Sequence, residues 1–157
     1  MNRWAMRAAG LLPAVWLGVL LCVALIATPA GFALLPRSQA GALAGRILGQ
    51  EASLSLGMAV LLLLLERWSL RQASGKPSFS HLSRSTLLLL GTLFCTVLGY
   101  FALQGPMAEA RAGQGRLSFA QLHGLSLVAY GVKVLLVAAL AWRGAGGRPA
   151  RTGPTSS

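Results

Sequence analysis

Four long apolar runs dominate the chain, and segments rich in Arg, Gly, Pro and Ser separate them. These runs, almost free of charge, are Ala8–Ala33, Ala52–Leu65, Leu87–Leu103 and Gly124–Trp142. A helix needs about 20 apolar residues, each rising about 1.5 Å, to cross the roughly 30 Å hydrocarbon core of a bilayer. The pattern predicts an all-α integral membrane four-helix bundle, with its membrane domain at 8–143 and its spans at about 8–34, 47–67, 84–104 and 119–142.

The overall composition agrees with a lipid environment. Hydrophobic residues make up 55% of the chain and charged residues 11%, whereas about a quarter of the residues of a typical soluble domain are charged. The net charge of +11 raises the question of nucleic-acid binding. The basic residues lie between the apolar runs, however, where they cannot form a basic stripe on one folded face. We therefore expect the lipid bilayer as the partner and no nucleic acid.

The basic residues are divided unequally between the two ends of a four-span bundle. Four of them, Arg37, Arg46, Arg111 and Arg116, fall at one end. Nine fall at the other end, and these are Arg3, Arg7, Arg67, Arg71, Lys76, Arg84, Arg143, Arg148 and Arg151. Because cytoplasmic loops carry the excess of Lys and Arg, we predict an N-in/C-in protein of the bacterial inner (cytoplasmic) membrane. Residues 1–7 are then a cytoplasmic N-terminus, and residues 144–157 a disordered cytoplasmic tail.

The first apolar run has an alternative interpretation as a cleaved signal peptide, because Arg3 and Arg7 precede it and Ala-Thr-Pro-Ala-Gly follows. Its length of about 25 residues exceeds the 7–15 residues that are usual for the apolar part of a signal peptide. We therefore expect this run to remain in the protein as the first span.

Small residues recur at every fourth position in three of the runs. In the second span the series extends over about four turns, although each glycine costs a water-exposed helix about 1 kcal/mol relative to alanine. Such series let helices approach closely. We predict that these positions pack helices together, including against a second copy or another membrane protein. The positions are Gly18, Gly41, Gly45, Gly49, Ser53, Gly57, Gly91 and Gly99.

One face of the fourth run is polar, and Lys133 lies near the middle of that run. His123, Ser126, Tyr130 and Lys133 are three or four residues apart, which places them on one helix face. A lysine at the bilayer centre costs about 2.5–3.5 kcal/mol and usually faces the bundle or a water-filled cavity. We predict a polar pocket or pathway, open to the outside, that binds an anion or passes a proton. The alternative is that Lys133 snorkels or binds backbone carbonyls, while this face only joins helices.

The acidic residues are three glutamates, and the sequence places none of them beside Lys133. Glu66 and Glu109 fall at a boundary and in a loop, and we expect Glu51 at the outer headgroup level together with Arg46 and Gln50. These positions predict no acidic partner for Lys133 inside the membrane.

No cofactor is predicted, but haem and copper remain alternatives. Cys22, Met58 and Cys95 fall near mid-depth of three different spans, and soft sulfur ligands suit Cu(I). His123 is the candidate haem ligand, whereas a cationic Lys133 nearby opposes metal binding. The chain has no glycine-rich phosphate loop, zinc signature or nucleophile elbow. We therefore expect a protein that is not an enzyme.

Two motifs resemble one known family. The first comprises Trp16-Leu17-Gly18, Pro29, Phe32 and Ala40-Gly41-Ala42-Leu43-Ala44-Gly45-Arg46, and the second is Leu122-His123-Gly124-Leu125-Ser126. Over roughly residues 11 to 142 the chain resembles the transmembrane-protein-205-like family (domain of unknown function 4149). The resemblance implies four helices and a membrane location, and it implies no reaction. The family is also distantly similar to copper-resistance D and protoporphyrinogen-oxidase-type bundles, and this similarity is the basis of the haem or copper alternative.

The leading functional hypothesis is a small multi-pass membrane protein that acts as a transport, permeation or accessory factor. Its working surface is then the polar face of the last span. One alternative is a haem- or copper-binding redox bundle. Another is a structural partner subunit, which packs against other membrane proteins through its small residues.

Overall fold

The computed structural model describes residues 3–74 and 83–145, and within them the chain is helical apart from short connections. The predicted disordered tail lies outside the described residues, except that Gly144 and Ala145 continue the last helix. Two π-helical segments interrupt the α-helices, the first at Val23–Ala27 and the second at Val97–Ala102. The α-helices are α1 (Arg3–Cys22), α2 (Thr28–Leu34), α3 (Arg37–Ser74), α4 (Arg84–Thr96), α5 (Leu103–Arg111) and α6 (Phe119–Ala145).

Four stretches of helix are long and apolar enough to cross a membrane. They are span 1 (Gly10–Leu34), span 2 (Arg37–Trp68), span 3 (Arg84–Arg111) and span 4 (Phe119–Ala145). The predicted all-α, multi-pass membrane fold is confirmed. Span 2 begins at Arg37 rather than near residue 47, because the glycine-rich stretch after Pro36 is helical. A proline directly before a helix does no harm, since the first N–H groups of a helix have no partner within it.

Span 4 packs against spans 1 and 3, and span 2 also packs against spans 1 and 3. The start of span 1 lies beside the end of span 4, where the Cβ position of Gly144 is 2.9 Å from the carbonyl oxygen of Gly10. The two helices therefore run antiparallel. One core joins all four spans, and its buried members are Trp16, Leu20, Ala59, Leu62, Leu89, Val137 and Leu140.

The outward faces of the bundle are as apolar as its core. Leu25, Leu64, Phe94 and Leu135 each expose well over half of their surface. Leucine and phenylalanine are among the residue types most often buried in soluble proteins, and soluble monomers rarely expose contiguous apolar patches of more than a few hundred Å². A helix that is hydrophobic all round suits a membrane span, so these side chains are positioned to face lipid.

Each π-helical segment precedes a proline, and this order has a physical reason. A proline ring clashes with the carbonyl group four residues earlier and removes one hydrogen bond of the helix. For Pro29 that residue is Leu25 in the first π-helical segment, and for Pro106 it is Ala102 in the second. A π-turn widens the helix where the clash would occur, because its hydrogen bonds span five residues instead of four. Both spans therefore continue past their prolines.

The small-residue series packs helices at only some of its positions. An added Cβ at Gly99 would lie 2.8 Å from the Cβ of Ala129, one at Gly91 would lie 3.1 Å from Leu136, and one at Gly49 would overlap the Tyr100 hydroxyl. By contrast, nothing lies within 4 Å of the positions that an added Cβ would take at Gly18, Gly41, Gly45 and Gly57. Packing of these open positions, and of the exposed Ser53, against a second copy or a partner stays a prediction.

A polar cluster ties spans 2 and 3 together at one end. Glu66 accepts hydrogen bonds from the hydroxyl groups of Ser83 and Thr86, the latter at 3.2 Å. Ser83 is also the N-cap of α4, because its hydroxyl oxygen accepts from the Thr86 N–H at 3.0 Å. One glutamate thus joins the end of span 2 to the helix start of span 3.

Candidate functional site

Lys133 forms an ion pair with Glu51 inside the bundle. Its Nζ lies 2.7 Å from Oε2 and 2.8 Å from Oε1 of the glutamate. The two residues are 3% and 5% exposed, and within residues 10–68 and 83–145 they are the only buried charged ones. The prediction that Lys133 has no acidic partner inside the membrane is therefore wrong.

The error came from the depth assigned to Glu51. A span that starts near residue 47 places Glu51 about one turn from its start, but span 2 starts at Arg37. Glu51 then lies about 21 Å along the helix from Arg37 and about 26 Å before Trp68, at 1.5 Å per residue. Lys133 lies about 21 Å from the start of span 4 and about 18 Å from its end. Both residues are thus near the middle of their helices, where they meet.

Two further side chains support Glu51, Ser55 by a direct hydrogen bond and Trp16 through Ser55. The Ser55 hydroxyl, one turn further along α3, donates to Oε1 of the carboxylate. Ser55 in turn accepts a hydrogen bond of 3.0 Å from the indole Nε1 of Trp16 in span 1. An indole N–H can only donate, so the hydrogen of the Ser55 hydroxyl is left for Glu51. The hydrogen bonds from Trp16 to Ser55 and from Ser55 to Glu51 therefore both run toward the carboxylate. This direction suits the ionised form of Glu51.

Tyr130 and Ser126, on the same face of span 4 as Lys133, donate to backbone carbonyls. The Tyr130 hydroxyl donates to the Leu20 carbonyl of span 1 at 2.9 Å. The Ser126 hydroxyl donates to the Gly99 carbonyl, within the second π-helical segment, at 2.7 Å. The Lys133 ammonium also lies 4.6 Å from the centroid of the Tyr130 ring, within the range of a cation–π contact. One face of span 4 thus binds spans 1, 2 and 3.

His123 stays apart from this cluster. It is exposed near the start of span 4, and its ring stacks on Phe119 with the centroids 5.7 Å apart. The Arg111 guanidinium lies on the same Phe119 ring, 4.9 Å from its centroid. The structure therefore brings together Ser126, Tyr130 and Lys133 of the predicted polar face and leaves His123 at the end of the helix.

The sulfur residues do not form a ligand set with the acids or histidines. Cys22 is exposed and Cys95 is half-buried. Among residues 3–74 and 83–145, no three or more His, Cys, Asp or Glu side chains lie close enough to hold a metal ion. The copper alternative at Cys22, Met58 and Cys95, and the haem alternative at His123, stay predictions.

Sequence reasoning missed three residues of the site, namely Trp16, Glu51 and Ser55. Two signals in the sequence point to them. Glu51, Ser55 and Ala59 are spaced four residues apart and therefore share one face of α3. Trp16 lies in the middle of an apolar run, where its N–H needs a partner.

The chain matches one family of proteins. The model of a domain of unknown function, DUF4149, matches residues 11–116. The chain belongs to the DUF4149 family. The DUF4149 match includes Trp16, Glu51 and Ser55 and ends before Tyr130 and Lys133. No curated protein and no solved structure matches the chain.

Proposed function

We propose that this DUF4149 protein is a small membrane transport or permeation protein whose working site is the Glu51–Lys133 pair with Trp16, Ser55 and Tyr130. The observation that carries the proposal is the bidentate ion pair at mid-depth, formed by side chains from two different spans. Ionisable residues within membrane spans are rare because they are costly, and they commonly mark ion or substrate pathways. A bundle that needs only to pack has no need of this pair, because apolar residues of similar size stabilise an interior at least as well.

The pair can act as a switch between two arrangements of the bundle. While it is intact, the site carries no net charge, and the ion pair links span 4 to span 2 across the bundle. When a ligand neutralises or replaces either partner, the remaining charge is left in an apolar environment at a cost of several kcal/mol. That cost favours a rearrangement that brings water to the free charge. A transport protein needs such coupling between ligand binding and helix movement.

The test is the permeability of vesicles that contain the purified full-length protein. The probes are glycerol, urea, acetate and methylammonium, followed by osmotic swelling in a stopped-flow instrument, and protons, followed by an entrapped pH-sensitive dye. We expect the wild-type protein to accelerate the passage of at least one probe. Glu51→Gln and Lys133→Met should return that rate to the level of empty vesicles.

Glu109→Gln is the matched control, because Glu109 is exposed and lies outside the buried pair. It should transport at the wild-type rate. Transport that survives both Glu51→Gln and Lys133→Met would show that the pair is not the working site. No acceleration of any probe by a folded wild-type protein would contradict the proposal of transport.

The orientation and the cellular membrane belong to the same proposal. The excess of Lys and Arg at one end supports an N-in/C-in topology in the bacterial inner membrane. Resemblance in two motifs supports a relation to transmembrane-protein-205-like proteins. Alkaline phosphatase fused after residue 157 should be inactive and green fluorescent protein at the same place fluorescent, since the former is active only outside the cytoplasm. The reverse result would refute the proposed orientation.

A further inference from the structure

The oxygen atoms at the buried pair are too few for a metal cation. Glu51 supplies two oxygens and Ser55 one, and Lys133 occupies both carboxylate oxygens. Calcium takes six to eight oxygen ligands, and magnesium needs near-octahedral coordination. The described residues also contain no cluster of three or more His, Cys, Asp or Glu side chains that could hold a metal ion. A proton needs only one oxygen, and the carboxylate provides it.

We infer that the ligand of this site is the proton and that Glu51 binds it, an inference that rests on the proposed transport function. In the binding step an O–H bond of a hydronium ion breaks, leaving water, and an O–H bond forms between that proton and a carboxylate oxygen of Glu51. The ionic contact with Lys133 is lost, and the net charge of the site changes from zero to +1. No other bond forms or breaks, and release of the proton to water restores the pair.

Protonation of Glu51 releases the lysine on span 4. The neutral acid loses its charge attraction for the ammonium and keeps only the weaker hydrogen bond that its carbonyl oxygen can accept, while the Tyr130 ring lies 4.6 Å away. An unpaired ammonium in hydrocarbon is costly, and lysines in membranes move toward water where they can. The bound proton therefore favours a different position of Lys133. Span 4 is then expected to shift relative to span 2.

The groups around the pair leave Glu51 as the proton acceptor. Two titratable groups interact electrostatically with the pair. Tyr130 on span 4 interacts with Glu51, and Cys95 on span 3 interacts with Lys133. A phenol and a thiol are ordinarily uncharged at neutral pH. Span 1 contributes the indole of Trp16, which does not titrate. The only other acidic residues of the chain are Glu66, at the end of span 2, and the exposed Glu109.

Proton binding can be measured separately from transport, because the chain contains three glutamates and no aspartate. The full-length protein is labelled with ¹³C at the glutamate carboxyl groups, placed in lipid nanodiscs and titrated by NMR. Glu51→Asp, Glu66→Gln and Glu109→Gln assign the three signals. We expect the Glu51 signal to shift with pH from that of a carboxylate to that of a carboxylic acid. The Lys133 ¹⁵Nζ signal should shift over the same pH range.

The transport part of the test uses vesicles with an entrapped pH-sensitive dye and an imposed potassium diffusion potential. Wild-type protein and Glu109→Gln should speed the equilibration of pH, and Glu51→Gln should give the rate of empty vesicles. Since loss of one charge can destabilise the protein, Glu51→Asp tests rescue by a shorter carboxylate, and its proton flux should lie between that of Glu51→Gln and that of the wild-type protein.

The NMR titration and the flux assay test different claims, so each can contradict one claim and leave the other standing. A Glu51 signal that never shifts while the protein stays folded overturns the proton inference, and the proposed function survives if another probe still crosses. A Glu51 signal that titrates, without flux of any probe, overturns the proposed function and leaves Glu51 as a proton-binding group. Proton flux that persists in Glu51→Gln refutes the role given to Glu51.

Discussion

At the scale of single residues, the site is a chain of donors that ends on one carboxylate. Trp16 donates to Ser55, and Ser55 and Lys133 donate to Glu51. Trp16 and Ser55 are each 1% exposed, so neither can exchange its partner for water. In such a setting the loss of one partner matters more than the hydrogen bond itself contributes, because a buried polar group is left without a bond.

Ser55→Ala is predicted to be more destabilising than its size suggests. It leaves the buried indole N–H of Trp16 unpaired, and we expect the free energy of unfolding to fall by about 1–3 kcal/mol. Denaturation in mixed micelles measures this free energy of unfolding. Ser53→Ala is the control, since Ser53 is exposed and bonds only within its own helix, and it should change little. Equal stability of the two variants would contradict the role given to Ser55.

The position of Lys133 inside the membrane could be predicted from the sequence, but its pairing with Glu51 could not. Lys133 is conspicuous because it interrupts a long apolar run near its centre. Glu51 lies among glycines and close to Arg46, so its stretch resembles the end of a span. Its true depth depends on where α3 begins, and hydrophobicity alone does not locate the start of a glycine-rich helix. Contact between the two residues depends on helix packing, which the sequence of one span does not specify.

At the scale of elements, side chains of span 4 contact each of the other three spans. Its polar face supplies Lys133 to span 2, Tyr130 to span 1 and Ser126 to the second π-helical segment of span 3. Regular helical spacing was sufficient to place Ser126, Tyr130 and Lys133 on this face, but the predicted face also included His123, which lies apart from the cluster. The sequence did not predict the π-helical segments, since Pro29 and Pro106 indicate a disturbance of the helix without specifying its form.

We predict that two conservative substitutions loosen the spans locally. Tyr130→Phe should speed amide hydrogen exchange around the first π-helical segment, and Ser126→Ala around the second. Hydrogen bonds between membrane helices average about 0.6 kcal/mol, equivalent to exchange roughly three times faster. Exchange followed by mass spectrometry in nanodiscs resolves the two regions. If both variants changed exchange equally in both regions, the separate roles of Tyr130 and Ser126 would be refuted.

Helix packing gives a second prediction at this scale, on the glycine positions. Gly99→Ala would place a Cβ 2.8 Å from that of Ala129, and we expect overpacking of this kind to cost about 1–3 kcal/mol. Gly57→Ala meets nothing within 4 Å and should leave the melting temperature in detergent unchanged or higher. The double variant Gly99→Ala/Ala129→Gly should regain most of the loss. A Gly99→Ala variant as stable as Gly57→Ala would show that spans 3 and 4 are further apart.

At the scale of the whole molecule, the apolar pattern was sufficient to predict four membrane spans. Their outward faces are positioned to meet lipid, and the one buried charge pair within residues 10–68 and 83–145 joins span 2 to span 4. The transport proposal and the proton inference both depend on that pair. Neither follows from the family, which is described only as a domain of unknown function.

Charge reversal tests the pair most directly. Glu51→Lys places two cations together inside the bundle and Lys133→Glu two anions, so each single variant should lose most of its folded population in detergent. The double variant Glu51→Lys/Lys133→Glu restores the attraction and should melt at a clearly higher temperature than either single variant. Glu109→Lys controls for the added charge. A double variant that melts no higher than the single variants would contradict the contact between Glu51 and Lys133.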